Sequence, residues 1–169
     1  DRDGLKYKDA YFSTFPGTWH HGDFIRISER GSLKIYGRSD STLNPGGVRI
    51  GTSEIYRVVN SIDIIEDSLV IGQEWEGDQR IILFVLMVND LPLEKDIIDQ
   101  IKFQIKNGCS PRHIPSKIIK VKGIPYTING KKVEVAVKKV IEGKTVTNKE
   151  SLSNPETLGQ FRNIPELLN

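Results

Sequence analysis

The stretch Tyr36-Gly-Arg-Ser-Asp-Ser-Thr-Leu-Asn-Pro-Gly-Gly-Val-Arg-Ile-Gly-Thr-Ser-Glu-Ile-Tyr56 divides the chain into two unlike parts. Between residues 37 and 51 it carries four glycines (Gly37, Gly46, Gly47, Gly51) and Pro45. That density marks a loop or hinge rather than a regular element. Two arginines, Arg38 and Arg49, flank it, and it runs into a helix start. Arginine can clasp phosphate bidentately, and backbone N–H groups of such a loop and helix start can receive an anion. By spacing alone, a linker with surface salt bridges reads equally well.

Downstream of the hinge the pattern is first helical. Ile55, Val58, Val59 and Ile62 fall at helical spacing, with Thr52 or Ser53 as N-cap. Ser68–Ile71 and Arg80–Val88 read as strands, the second apolar enough to be central. Ile97, Ile98, Ile101 and Ile105 make a second amphipathic helix, and Lys117–Val121 a short strand. Val133, Ala136, Val137, Val140 and Ile141 make a last helix, stopped by Gly143. The order helix, strand, strand, helix, strand, helix predicts a small α/β domain over residues 40–143. A tail over 144–169, rich in Asn, Ser and Pro, reads as irregular apart from one short helical turn.

Upstream, the first 39 residues are dominated by turn formers and aromatics (Tyr7, Tyr11, Phe12, Phe15, Trp19). Two β-rich runs, Phe24–Ile27 and Leu33–Tyr36, are separated by Ser28-Glu-Arg-Gly-Ser32 and predict a β-hairpin. The chain opens Asp1-Arg-Asp-Gly-Leu-Lys without an initiator Met, which reads as the interior of something longer.

Composition narrows the function classes. The 169 residues are 37% hydrophobic and 27% charged, as expected of a globular domain and not of a disordered tail. A net charge of +2 does not itself point to nucleic acid. The single cysteine, Cys109, allows no internal disulfide and is read as structural. The longest apolar run, Ile81–Val88, falls far short of the roughly 20 residues of a membrane span. His20 and His21 lack further ligands at metal-binding spacing, so no metal site is expected on the chain. The lysines at 131, 132, 138 and 139 are diluted by Glu134 and Glu142, which suits a solvated helix face.

Two further motifs carry possible chemistry. In Trp19-His-His-Gly-Asp23, Gly22 permits a tight turn and Asp23 projects from the mouth of the hairpin. A carboxylate there can accept hydrogen bonds from vicinal ribose hydroxyls, although Gly-Asp is also a common turn pair. In Pro125-Tyr-Thr-Ile-Asn-Gly-Lys131-Lys132, a turn presents a lysine beside a glycine just before a helix. Such an amine can neutralise two anions that must approach each other. The bland alternative is a solvated lysine, at a helix end where the macrodipole disfavours a cation.

Taken in order, these motifs resemble the last part of the adenylate-forming superfamily of acyl-CoA synthetases, luciferases and peptide-synthetase adenylation domains. Gly22-Asp23 matches its Gly-Asp motif, Gly37-Arg-Ser-Asp40 its Gly-Arg-x-Asp hinge, and Pro125 to Lys131 its Pro-x-Thr-x-x-Gly-Lys motif. Within it the chain resembles the acetoacetyl-CoA synthetase family, through Tyr7-Lys-Asp-Ala-Tyr-Phe12, Gly130-Lys-Lys-Val-Glu-Val-Ala-Val137, and Ser153-Asn-Pro-Glu-Thr-Leu158 through Ile164-Pro-Glu-Leu167.

The resemblance implies an α/β (α+β) small C-terminal domain with a short mixed sheet flanked by helices, preceded by a hairpin strip (1–39) of a large N-terminal domain. It implies an ATP-dependent, cytoplasmic ligase that joins acetoacetate to coenzyme A through an acyl-adenylate, with Mg2+ accompanying ATP. The partners would be these small molecules and the rest of the large domain, with no nucleic acid and no membrane span. The fragment alone would be inactive. Lys131 would be the catalytic amine. Asp23, Arg38 and Arg49 would bind nucleotide, and Asp40 would be the pivot. Gly47 and Lys106 would line the coenzyme A path, Lys106 departing from the arginine expected in acetyl-CoA relatives. A synthetase for another short-chain acid, or a binding module descended from one, are the rival readings.

Overall fold

The computed structural model describes residues 3–168, with only the backbone of Lys6. Its elements are α1 (Leu5–Phe12), β1 (Asp23–Ile27), β2 (Leu33–Arg38), α2 (Thr52–Val59), β3 (Ile65–Trp75), β4 (Asp78–Met87), α3 (Lys95–Gly108), β5 (Lys117–Val121) and α4 (Glu134–Ile141). β1 and β2 form a separate antiparallel ribbon. β3, β4 and β5 form one sheet in that order, antiparallel between β3 and β4 and parallel between β4 and β5. The expected mixed sheet is therefore present, flanked by α2, α3 and α4.

The period-2 alternation of β3 and β4 explains why the sheet carries a core on each face. Val70, Ile81, Leu83 and Val85 join Ile55 and Val59 of α2 and Ile101 and Ile105 of α3 on one side. Leu69, Ile71, Ile82 and Phe84 join Val137 and Val140 of α4 on the other. Both strands are hydrophobic in succession because both faces are covered.

Several local features differ from expectation. The aromatic opening is not turn-like throughout: Leu5–Phe12 is helical, though it is only weakly amphipathic, which is why hydrophobic spacing does not reveal it. β3 extends over 11 residues because Glu76 and Gly77, both at positive φ, close a two-residue hairpin onto β4. α2 is preceded by Gly51 with no side-chain cap, and Ile62 lies beyond the helix while still buried.

The end of α4 follows expectation. Gly143 is left-handed, and N–H groups of Lys144 and Gly143 reach back to the carbonyls of Lys139 (2.8 Å) and Val140 (3.1 Å). That is a Schellman closure.

The tail also differs from an irregular strand of polar residues. Short 3-10 turns at Lys149–Ser151, Pro155–Phe161 and Pro165–Leu167 place Leu152, Leu158, Phe161 and Leu167 in the α4-side core. Phe161 meets Phe84 edge-on at 4.9 Å between ring centres. Arg80 lies over the Trp75 ring (3.6 Å) and donates to the Leu167 carbonyl (2.8 Å), anchoring the chain's end to β4. No helix among the described residues is long and apolar enough to cross a membrane.

Candidate active site

The loop that follows β5 is built around Thr127. Its N–H donates to the Lys131 carbonyl (2.8 Å), its carbonyl accepts from the Gly130 N–H (2.8 Å), and its hydroxyl accepts from the Lys131 N–H (3.0 Å). Gly130 closes the turn at φ +71°, a conformation costly for other residues. Tyr126 and Lys132 pair across the base as an antiparallel bridge, and Thr127 does the same with Leu152 of the tail. The Ile128 N–H donates to Ser151 and the Ser153 N–H to Tyr126, so the tail braces the loop's outer edge.

Extended backbone sends neighbouring side chains in opposite directions. This separates the two adjacent lysines. Lys132 turns inward, its amine 2.6 Å from Asp67 on β3, 2.5 Å from the Ser68 carbonyl and 4.3 Å from the Tyr56 ring centre. Lys131 is exposed, and among the described residues nothing pairs with its amine. It lines a groove of about 460 Å3 with Arg38, Asp40, Thr127, Glu134 and Lys139.

The far wall of that groove comes from the hairpin mouth. Asp23 and Arg38 are register partners across β1 and β2. The Arg38 guanidinium donates to the His21 carbonyl (3.3 Å) and to Asp40 (3.4 Å), and lies where a Cβ on Gly22 would come within 3.3 Å of it. Asp23 meets the imidazole of His21 at 2.5 Å. Asp23, Arg38 and Asp40 thus form one cluster, and Lys131 shares the groove with the last two.

The other candidate residues lie elsewhere. Arg49 is stacked over Phe24 (4.2 Å to the ring centre) and does not line the groove. Gly47 ends the turn Pro45–Gly47, whose Gly46 N–H donates to the Asp78 carboxylate (3.0 Å). Lys106 is exposed in the last turn of α3, remote in the fold from the loop of Lys131.

Sequence reasoning gave no role to the residues behind the loop. The Tyr126 hydroxyl donates to Asp67 (2.5 Å), and the Tyr56 hydroxyl accepts from the Val70 N–H and donates to Glu134, each at 3.0 Å. Burial, reinforced by Asp67, raises the Tyr126 phenol, and burial reinforced by Glu134 raises Tyr56 well above its usual value. Burial also raises Glu134. Both phenols therefore remain donors. Local sequence does not single out Asp67, since β3 also carries Glu66 and Glu74.

The junction between hairpin and domain is polar and close. Lys34 pairs with Glu54 (2.9 Å), which also meets His113 (3.2 Å). Burial alone would raise Glu54, but the hydrogen bonds from Lys34 and His113 outweigh it and hold it below the usual carboxylate value. Among the described residues no group of three or more His, Cys, Asp or Glu could hold a metal ion.

No family model matches the chain. Over 169 residues it is 51% identical to the acetoacetyl-CoA synthetase of Mus musculus, covering 99% of this chain and 25% of that protein. It is 50% identical over 167 residues to the acetoacetyl-coenzyme A synthetase of Rhizobium meliloti, covering 99% of this chain and 26% of that protein. The solved acetoacetyl-CoA synthetase of Streptomyces lividans superposes with a TM-score of 0.86 at 40% identity, over 100% of this chain and 26% of that one. The chain spans about a quarter of the length of the curated relatives it matches. It is homologous to a segment of these enzymes along its whole length.

Proposed function

We infer that this chain belongs to the acetoacetyl-CoA synthetases, as the segment that delivers a catalytic lysine to an adenylation site built largely from the rest of the enzyme. Joined to that remainder, it takes part in making acetoacetyl-CoA from acetoacetate, ATP and coenzyme A in the cytoplasm. The observation that carries this reading is the pairing of a match at about half identity with a Lys131 that is unpaired among the described residues and lines one groove with Arg38 and Asp40.

In the first half-reaction a carboxylate oxygen of acetoacetate attacks the α-phosphorus of ATP and pyrophosphate leaves. Two anions must meet, and the Lys131 ammonium is suited to bridge them. Asp23 would exchange His21 for the ribose hydroxyls, with Arg38 on the ribose or α-phosphate side and Arg49 toward the phosphates. In the second half-reaction the thiol of coenzyme A attacks the acyl carbon and AMP leaves. Lys131 must then withdraw, which a rotation about Asp40 accomplishes, with Gly47 and Lys106 along the coenzyme A path. Mg2+ would arrive with ATP as part of the substrate.

The test is ATP–pyrophosphate exchange by the protein that joins this chain to the upstream portion its relatives carry. Exchange that depends on acetoacetate and is weak with acetate, propionate or butyrate supports the reading. Exchange driven by another acid overturns the substrate, and none with any short-chain acid overturns the activity.

A further inference from the structure

We propose that Lys132 is a positioning residue whose ion pair with Asp67 sets the register of the loop and so keeps Lys131, and not itself, in the groove. The proposal rests on the reading of Lys131 as the catalytic amine.

Two lysines side by side in extended backbone pose a specific problem. A slip of one residue exchanges the two faces, bringing Lys132 into the groove and turning Lys131 inward. The turn itself resists this through Thr127 and through Gly130 at φ +71°, but neither engages a lysine side chain. What distinguishes the lysines is the receptor waiting for one of them. The Lys132 amine meets the Asp67 carboxylate (2.6 Å), the Ser68 carbonyl (2.5 Å) and the face of Tyr56 (4.3 Å), and the Lys132 and Asp67 side chains are each only 17% exposed.

The receptor is itself held. One Asp67 oxygen also accepts from the Ser68 N–H (2.7 Å), and the other accepts from the Tyr126 hydroxyl (2.5 Å). Tyr56 is fixed by Val70 on β3 and by Glu134 in the first turn of α4. The loop is thus clamped before the turn through Tyr126 and after it through Lys132 and Glu134. Among the described residues no buried side-chain polar atom lacks a partner, so this network is complete.

A complete but charged network is a poor device for stability alone. A buried ion pair returns little net stability, and an apolar residue of similar length would fill the same space. What a buried pair supplies is selection of one arrangement over a near-equivalent one. Here the near-equivalent arrangement is the slipped loop with the wrong amine in the groove.

The experiment uses the full-length enzyme carrying this chain and measures the half-reactions separately: ATP–pyrophosphate exchange, and thioester formation from supplied acetoacetyl-adenylate. Lys132→Met and Asp67→Asn should lower the kcat of exchange about 10- to 100-fold, because an ångström of misplacement costs on that order. The KM for ATP and the thioester step should stay within about two-fold. Tyr126→Phe, which deletes one hydroxyl and retains the ring, should show the same split more weakly, and Lys132→Arg should recover part of the loss. Equal loss in both half-reactions, accompanied by a lowered Tm, would assign the network a structural role and overturn the proposal. So would exchange that stays within two-fold of the parent in Lys132→Met. Lys131→Ala run in parallel separates the two claims: if it leaves exchange intact, the reading of Lys131 itself fails.

Discussion

The molecule contains two antiparallel hairpins with opposite fates. In β1–β2, Ile25, Ile27, Leu33 and Ile35 are all more than half exposed. In β3–β4, every residue from Leu69 to Ile71 and from Ile81 to Val85 is buried. Both are β-rich runs closed by a turn containing glycine, so local sequence does not separate them. The difference lies in what surrounds them: helices and tail cover both faces of β3–β4, whereas β1–β2 meets the domain through one face only, at Phe24, Lys34 and Tyr36, and leaves the other bare. An apolar surface this bare marks an interaction site, which under the proposed function would face the rest of the enzyme.

The comparison can be broken most severely at the covered hairpin. Phe84→Ala removes a fully buried ring packed edge-on against Phe161 and should cost about 3–5 kcal/mol in urea unfolding of this chain. At the joint between the two regions, Gly51→Ala puts a Cβ 2.5 Å from the Tyr36 carbonyl oxygen, so backbone must give way. It should cost about 1–3 kcal/mol by the same measurement. On the bare hairpin, Ile35→Ser should change the stability of this chain by less than about 0.5 kcal/mol. The same substitution should lower the Tm of the full-length enzyme, and equal effects in both contexts would remove the contrast.

The smallest effect concerns pH. Glu54 has its carboxyl held below 4.5 in the fold by Lys34 and His113, so its tethering of β2 is fully present above that value. It is lost as pH falls through the lowered value. Amide exchange at Lys34–Tyr36 should therefore gain protection on raising the pH from 3 to 6, beyond the intrinsic rate change, and Glu54→Gln should abolish that gain.

How much was legible follows the same division. Helical spacing revealed α2, α3 and α4, each burying one face, and a continuous apolar run revealed β4, which buries both. α1 was missed because its aromatics contact one another (Tyr7 with Tyr11 and Phe12) and leave no apolar stripe. The tail was read as irregular because its buried residues, Leu158, Phe161 and Leu167, are spaced by 3-10 turns and prolines rather than by a helical or strand period. The motifs singled out Asp23, Arg38, Asp40 and Lys131, which the fold brings near one groove. They gave no hint of Asp67 or Tyr56, which act through tertiary contacts 60 or more residues away in sequence from the loop's lysines.

The central claim is that the outward lysine, Lys131, serves adenylation and not thioester formation. The direct measurement is Lys131→Ala in the full-length enzyme, with acetoacetate-dependent ATP–pyrophosphate exchange and thioester formation from supplied acetoacetyl-adenylate assayed on one preparation. The account predicts exchange reduced by at least about 100-fold, as for the loss of a group that stabilises transition-state charge, with the thioester step within a few-fold of the parent. Exchange that persists, or an equal fall in both steps, would contradict it.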